Sequence, residues 1–131
     1  MQQLLIVGLG GACGAVARYS LTGFVHRKFP EYLPYPIGTL AVNVLGCFLI
    51  GILMTLIAER DLFSETVSEN TRLLLITGFL GSLTTFSTFG YETVELMMLS
   101  NIRLACWNVA ANVIVGCGAV FAGHWLTKSL L

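Results

Sequence analysis

The residues best suited to chemistry in this chain of 131 amino acids lie in one run, Gly78-Phe79-Leu80-Gly81-Ser82-Leu83-Thr84-Thr85-Phe86-Ser87-Thr88-Phe89-Gly90. It places three glycines, three threonines and two serines at the middle of an apolar stretch long enough to cross a bilayer. A helix that only had to span lipid has no use for them there. Backbone at membrane depth leaves the helix only where protein or a cavity covers its freed polar groups. Broken helices of that kind hold ions in transport proteins. The run therefore predicts a polar pathway or an ion site, and carbonyls exposed around Gly81 and Thr84 would suit a small cation.

Other polar residues fall near this run. Arg18 lies inside the first apolar segment. An arginine in a spanning helix is costly and usually faces a cavity or a partner. The alternative is that it reaches out to the interface, and a water-filled vestibule satisfies both. Asn43, Asn108 and Asn112 carry amides that can donate to an anion or bond one helix to another. Thr39, Asn43 and Gly46 recur at helical spacing on one face, as do Asn108, Asn112 and Gly116. Phe86 and Phe89 share a face after the break; packing is their ordinary role. The edge of an aromatic ring is also the positive part of its quadrupole, so two edges can line an anion path without a full charge. Ser87 and Thr88 place hydroxyl donors between them. Glu92 continues that face, and a carboxylate so deep needs a partner, a proton or water. Glu95, a turn further on, belongs to the interface.

Four apolar segments position these groups, at about 4–25, 37–58, 73–99 and 104–127. Each approaches the roughly 20 residues that a spanning helix needs. With 56% apolar and 11% charged residues, the expected fold is all-α and integral to the membrane: one four-helix domain over residues 1–131, its third helix broken at the centre. The first segment is not expected to be a cleaved signal, having Arg18 inside it and no basic leader. Gly10 and Gly14 make a small-xxx-small pair that lets two helices approach closely. Gly8-x-Gly10-x-x-Cys13 matches part of a dinucleotide fingerprint, but the last glycine is absent and no strand precedes it. Prolines make Phe29–Pro36 a rigid connection, and the polar, acidic stretch 59–72 reads as a surface turn.

Composition excludes several classes. Cys13, Cys47, Cys106 and Cys117 form no CxxC pair and suit packing. Zero net charge without a basic block argues against a nucleic-acid partner. No nucleophile has a base at useful spacing, and His26 and His124 lie near span ends without metal-ligand spacing, so an enzyme is not expected. Arg18 aside, Arg60, Arg72 and Lys128 flank the spans on one side and Arg27, Lys28 and Arg103 on the other, three against three. The positive-inside rule then gives no orientation. Either the chain inserts both ways or a partner sets its topology. A chain inserting both ways can pair with itself antiparallel, about a two-fold axis in the membrane plane.

Three blocks, Gly10-Gly11-x-x-Gly14-x-x-x-Arg18-Tyr19, Gly38-Thr39-Leu40-x-x-Asn43 and Gly78-Phe79-x-Gly81-x-x-Thr84-Thr85-Phe86-Ser87-Thr88-Phe89, carry a resemblance. Over nearly its whole length the chain resembles the Fluc (CrcB-type) fluoride channels. The resemblance implies an antiparallel, dual-topology homodimer in the bacterial inner (plasma) membrane, with two antiparallel pores that export cytoplasmic fluoride passively through the lipid bilayer. It implies a structural Na+ at the dimer interface, held by the Gly81 and Thr84 carbonyls. It makes Phe86 and Phe89 the pore phenylalanines, Asn43 the pore asparagine and Arg18 the vestibule arginine. Ser87 and Thr88 become a polar track, and Glu92 the third-helix glutamate. The family often has hydroxyls on the fourth helix, where this chain has Asn108, Asn112 and Gly116; Thr39, Asn108 and Asn112 are the further candidates for polar lining. Two competing readings are a small dual-topology exporter of cationic compounds that uses Glu92, and a scaffold subunit that transports nothing.

Overall fold

The computed structural model describes residues 1–30, 35–59 and 65–131, with the backbone alone for Glu59 and residues 65–68. Its helices are α1 (Gln2–Lys28), α2 (Ile37–Glu59), α3 (65–83), α4 (Phe86–Met98) and α5 (Ile102–Leu130). Among the described residues four stretches are long and apolar enough to cross a membrane: Gln2–Lys28, Ile37–Ala58, Glu69–Met98 and Ile102–Leu130. The third span is α3 and α4 together, interrupted between them. Within α3 the turns widen to π geometry over Leu73–Leu80 and tighten again at Gly81–Leu83; α5 widens over Ala111–Val115.

One expectation is corrected. The stretch 59–72 is not simply a turn, because Glu65–Arg72 is helical. A polar segment without Gly or Pro adds to a helix already started by the apolar residues below it, and propagation is far easier than nucleation. Residues 60–64, Arg60 among them, and residues 31–34 of the proline-rich link lie outside the described residues.

Glycines set the helix spacing. A Cβ at Gly10 would overlap the Leu74 carbonyl oxygen, and one at Gly14 the Phe79 carbonyl oxygen. Gly78 answers from α3, where a Cβ would lie 2.7 Å from the Val7 carbonyl oxygen. The small-residue pair read from the sequence is thus filled by the chain's own third span. A second seam joins α2 to α5, where a Cβ at Gly51 would overlap the Val120 carbonyl and one at Gly123 the Phe48 carbonyl. Helices in lipid gain nothing from hiding apolar surface from one another, so close backbone packing and polar contacts must hold them. Among the described residues the buried apolar core is accordingly small, comprising Val42, Leu80, Leu83, Leu96 and Ala105, while Leu4, Leu9, Val16, Trp107 and Phe121 point outward.

The last reversal is tight. The Ser100 N–H donates to the Met97 carbonyl at 3.0 Å and the Asn101 N–H to the Leu96 carbonyl at 2.9 Å. Ser100 holds φ 58°, the left-handed residue that this helix ending requires. Asn101 then opens α5 by accepting from the Leu104 N–H.

Gly14→Ala should weaken the bundle by about 1–3 kcal/mol, the usual cost of forced overpacking. Gly8→Ala, on the same helix with nothing within 4 Å, should be neutral or stabilise by up to about 1 kcal/mol. Thermal unfolding of both variants in detergent checks the contrast.

Candidate functional site: the break in the third span

Thr84 (φ −80°, ψ 154°) and Thr85 (φ −148°, ψ 111°) are extended, which takes the chain out of the helix for two residues. Asn43 of α2 reaches across to them. The Thr85 N–H donates to Asn43 Oδ1 at 2.9 Å, and Asn43 Nδ2 donates to the Thr85 carbonyl at 3.4 Å. One side-chain amide therefore serves both backbone groups of Thr85. The Thr85 hydroxyl in turn caps α4. It accepts from the Thr88 N–H at 3.2 Å, donates to Thr88 Oγ1 at 2.9 Å and lies 3.3 Å from Ser87 Oγ.

These bonds redirect the helical ladder. In an α-helix the N–H of residue i serves the carbonyl of i−4, so the Thr85 N–H would serve Gly81 and the Thr88 N–H would serve Thr84. Both donors are engaged by side chains instead. The Gly81 and Thr84 carbonyls thereby lose their ordinary helical partners at the same place. Gly81 is exposed on the surface of the chain, and Thr84 is half-buried. Among the described residues no cluster of His, Cys, Asp and Glu could hold a metal. These carbonyls are the candidate cation ligands, and as hard oxygen donors they fit a cation such as sodium.

Behind Asn43 runs a chain of amides. Asn43 Nδ2 donates to Asn112 Oδ1 at 3.0 Å; Asn112 Nδ2 donates to Asn108 Oδ1 at 3.1 Å and to the Asn108 carbonyl at 3.0 Å. Asn108 Nδ2 donates to Thr93 Oγ1 at 2.9 Å, and Thr93 donates to the Phe89 carbonyl at 2.7 Å. The three asparagines thus spend their amides on one another and on the break, tying α2, α5 and α4 together. The geometry engages them in bonds between helices, and Asn43 and Asn112 also line a cavity. Thr85 and Thr93 were not singled out from the sequence. The signal for Thr85 was a hydroxyl directly before a helix start, the N-cap pattern; for Thr93 it was the four-residue step back to Phe89.

A cavity lies on each side of the break. The first, of about 590 Å³, is lined by Arg18, Tyr19, Arg27, Thr39, Thr88 and Glu92 among others. The second, of about 380 Å³, is lined by Asn43, Gly81, Thr84, Phe86, Phe89 and Asn112 among others. Thr85 lines both. Arg18 is half-buried and faces the first cavity. The Phe86 and Phe89 rings meet at 5.5 Å between centroids with planes tilted by 55°. Thr39 is buried and donates to Glu92 Oε1 at 2.7 Å. The α4 N-terminus opens at the break with no acidic residue in its first turn, and a helix N-terminus carries about half a positive charge. Two guanidiniums, a helix N-terminus and a group of hydroxyls make this an environment for an anion.

Asn43→Ala strands two backbone groups at membrane depth and should cost about 1–3 kcal/mol. Combined with Asn112→Ala it should cost clearly less than the sum of the single changes, because the two share one network. A double-mutant cycle on thermal unfolding in detergent measures both effects.

The family described as CrcB-like protein, Camphor Resistance (CrcB), matches residues 5–124. A relative from Campylobacter fetus subsp. fetus, named Fluoride-specific ion channel FluC, is 41% identical over 125 residues, 95% of this chain and 93% of the relative. One of the same name from Clostridium perfringens is 44% identical over 92% of this chain and 91% of its own. Fluoride-specific ion channel FluC 1 from Methanosarcina acetivorans is 42% identical over 94% of this chain and 88% of its own. These relatives are named as ion channels, not as enzymes. With four membrane-length spans and a family match across residues 5–124, this multi-pass membrane protein belongs to the CrcB-like family.

Proposed function

We propose that the protein is a fluoride-selective ion channel through which cytoplasmic fluoride leaves the cell passively. The observation that carries this reading is the capped break at Thr85, with a cavity on either side, in a chain whose relatives at about 40% identity are named fluoride-specific ion channels. Fluoride is small and strongly hydrated. A pore must replace its water with several donors, yet hold it loosely enough for release. Arg18 and Arg27 draw the ion into the first cavity. Thr85 and Thr88 offer hydroxyls there, Ser87 stands exposed beside them, and the ring edges of Phe86 and Phe89 continue the path. Asn43 holds Thr85 in place, and Asn112 and Asn108 hold Asn43. Glu92 shares its cavity with two arginines, which disfavours the cation exporter.

The working unit in this reading is an antiparallel homodimer of dual topology with two pores, seated in the plasma membrane. Gly81, Ser87 and Thr88 are exposed on a single protomer, and polar groups at membrane depth need a cover other than lipid. A second copy supplies it, and the three-against-three balance of flanking charge favours either orientation. Across a two-fold axis the Gly81 and Thr84 carbonyls of both copies would hold a structural sodium ion. When bound, that ion neutralises carbonyls that lipid cannot satisfy and keeps the subunits in register.

Vesicles holding only this protein should release fluoride without proton coupling. Phe86→Ile and Phe89→Ile keep bulk but remove the ring edge, and should lower flux by about tenfold or more, a barrier change of about 1.4 kcal/mol, with the dimer intact. Normal conduction in both variants would reduce the phenylalanines to packing. Exhaustive replacement of sodium by a large organic cation on both sides should lower flux and dimer stability together. If both are unchanged, sodium is no part of the fold.

A further inference from the structure

Among the described residues two buried side-chain atoms lack a hydrogen-bond partner, Nε2 of His26 and Oε2 of Glu92, and their residues line the same two cavities. His26 comes from the last turn of α1, Glu92 from the middle of α4. Both line the 590 Å³ cavity. Both also line a smaller one of about 140 Å³, with Tyr35, Pro36, Glu95, Leu96 and Leu99. Consecutive residues of α2 fix them there. Gly38 leaves room for the ring, since a Cβ on it would stand 2.8 Å from His26 Nε2. Thr39 holds the other carboxylate oxygen at 2.7 Å, which leaves Oε2 as the free one. A buried polar atom is rarely left unpaired. No direct bond joins these two, and a water in the space they share would bond to both.

We propose that His26 and Glu92 share one proton and so set the charge of the vestibule wall: neutral while the pair holds it, minus one when it is lost. The inference rests on reading this cavity as the mouth of a fluoride path. The location of the proton is immaterial. A carboxylic acid facing imidazole and a carboxylate facing imidazolium have the same net charge, and coupled groups titrate as a pair. Imidazole is the side chain that changes charge between about pH 5 and 8. The other titratable groups facing the pair are Arg18, Tyr19 and Arg27 of α1, Tyr35 of the link and Glu95 of α4; α2 presents only Gly38 and Thr39. Burial pushes the Tyr35 phenol up, so it stays uncharged. A negative wall repels the ion that Arg18 and Arg27 attract, so fluoride passes more readily when the pair is protonated.

The test is fluoride current through the full-length protein in planar bilayers, with both sides stepped from about pH 8 to about pH 5.5. Wild type should gain on the order of tenfold, the effect of one unit charge beside the path. His26→Lys should stay at the acid level throughout, and in His26→Gln, where the carboxyl stands alone, the midpoint of the gain should move. A flat wild-type profile, or an unmoved midpoint in His26→Gln, overturns the pair. Absence of current at every pH contradicts the channel reading instead. The pair is then judged by the Nε2 signal of 15N-labelled His26 at one fixed pH, assigned with His124→Gln. That signal should move in Glu92→Gln, and an unmoved signal overturns the proposal.

Discussion

Everything at the centre of this molecule depends on one side-chain amide meeting one peptide unit. Lipid offers nothing to a broken helix, so a break survives only if protein answers each freed N–H and C=O. Asn43 answers both for Thr85. With its backbone anchored, Thr85 can turn its hydroxyl to the first turn of α4 and start a new helix there. The same exchange of partners uncovers the Gly81 and Thr84 carbonyls. Without the amide, both backbone groups of Thr85 would be left unanswered at the break. The hydroxyls, the helix terminus and the released carbonyls follow from a single substitution of partners.

Asn43 is itself held. Its Nδ2 also bonds Asn112, which is fixed by Asn108, which is fixed by Thr93 on α4. The relay thus leaves the break through α2, crosses α5 and returns to the helix that the break begins. Asn108 is 1% exposed, so no water competes for its amide. In such surroundings a satisfied polar network fixes one geometry, and a half-satisfied network would be worse than none.

Much of this was legible in the chain, and the limits are physical. The four spans follow from apolar run length, and the break from small and hydroxyl residues where lipid wants neither. The polar residues were also visible, but an amide donates and accepts equally well. Spacing along one helix places Asn108 beside Asn112; it does not say that Asn43, on another helix, completes the set. Gly51 and Gly123 were hidden for a similar reason, since their significance is the backbone of a different span. Thr85 was masked by its hydroxyl neighbours, and only the start of α4 sets it apart. His26 looked like an ordinary residue at the end of a span. Its meaning comes from Gly38, whose missing side chain makes room for its ring.

The glycine seams have a mechanical consequence. Where backbone rests on backbone there is no side chain to rotate out of the way. The α1–α3 pair and the α2–α5 pair can tilt or slide only as whole blocks. The asparagine relay ties the blocks together, and a slide must part its hydrogen bonds. Such a frame resists the rocking by which alternating-access machines work. In the channel reading proposed above, it would serve as a fixed aperture, its throughput adjusted by the charge along its rim and not by the movement of its walls.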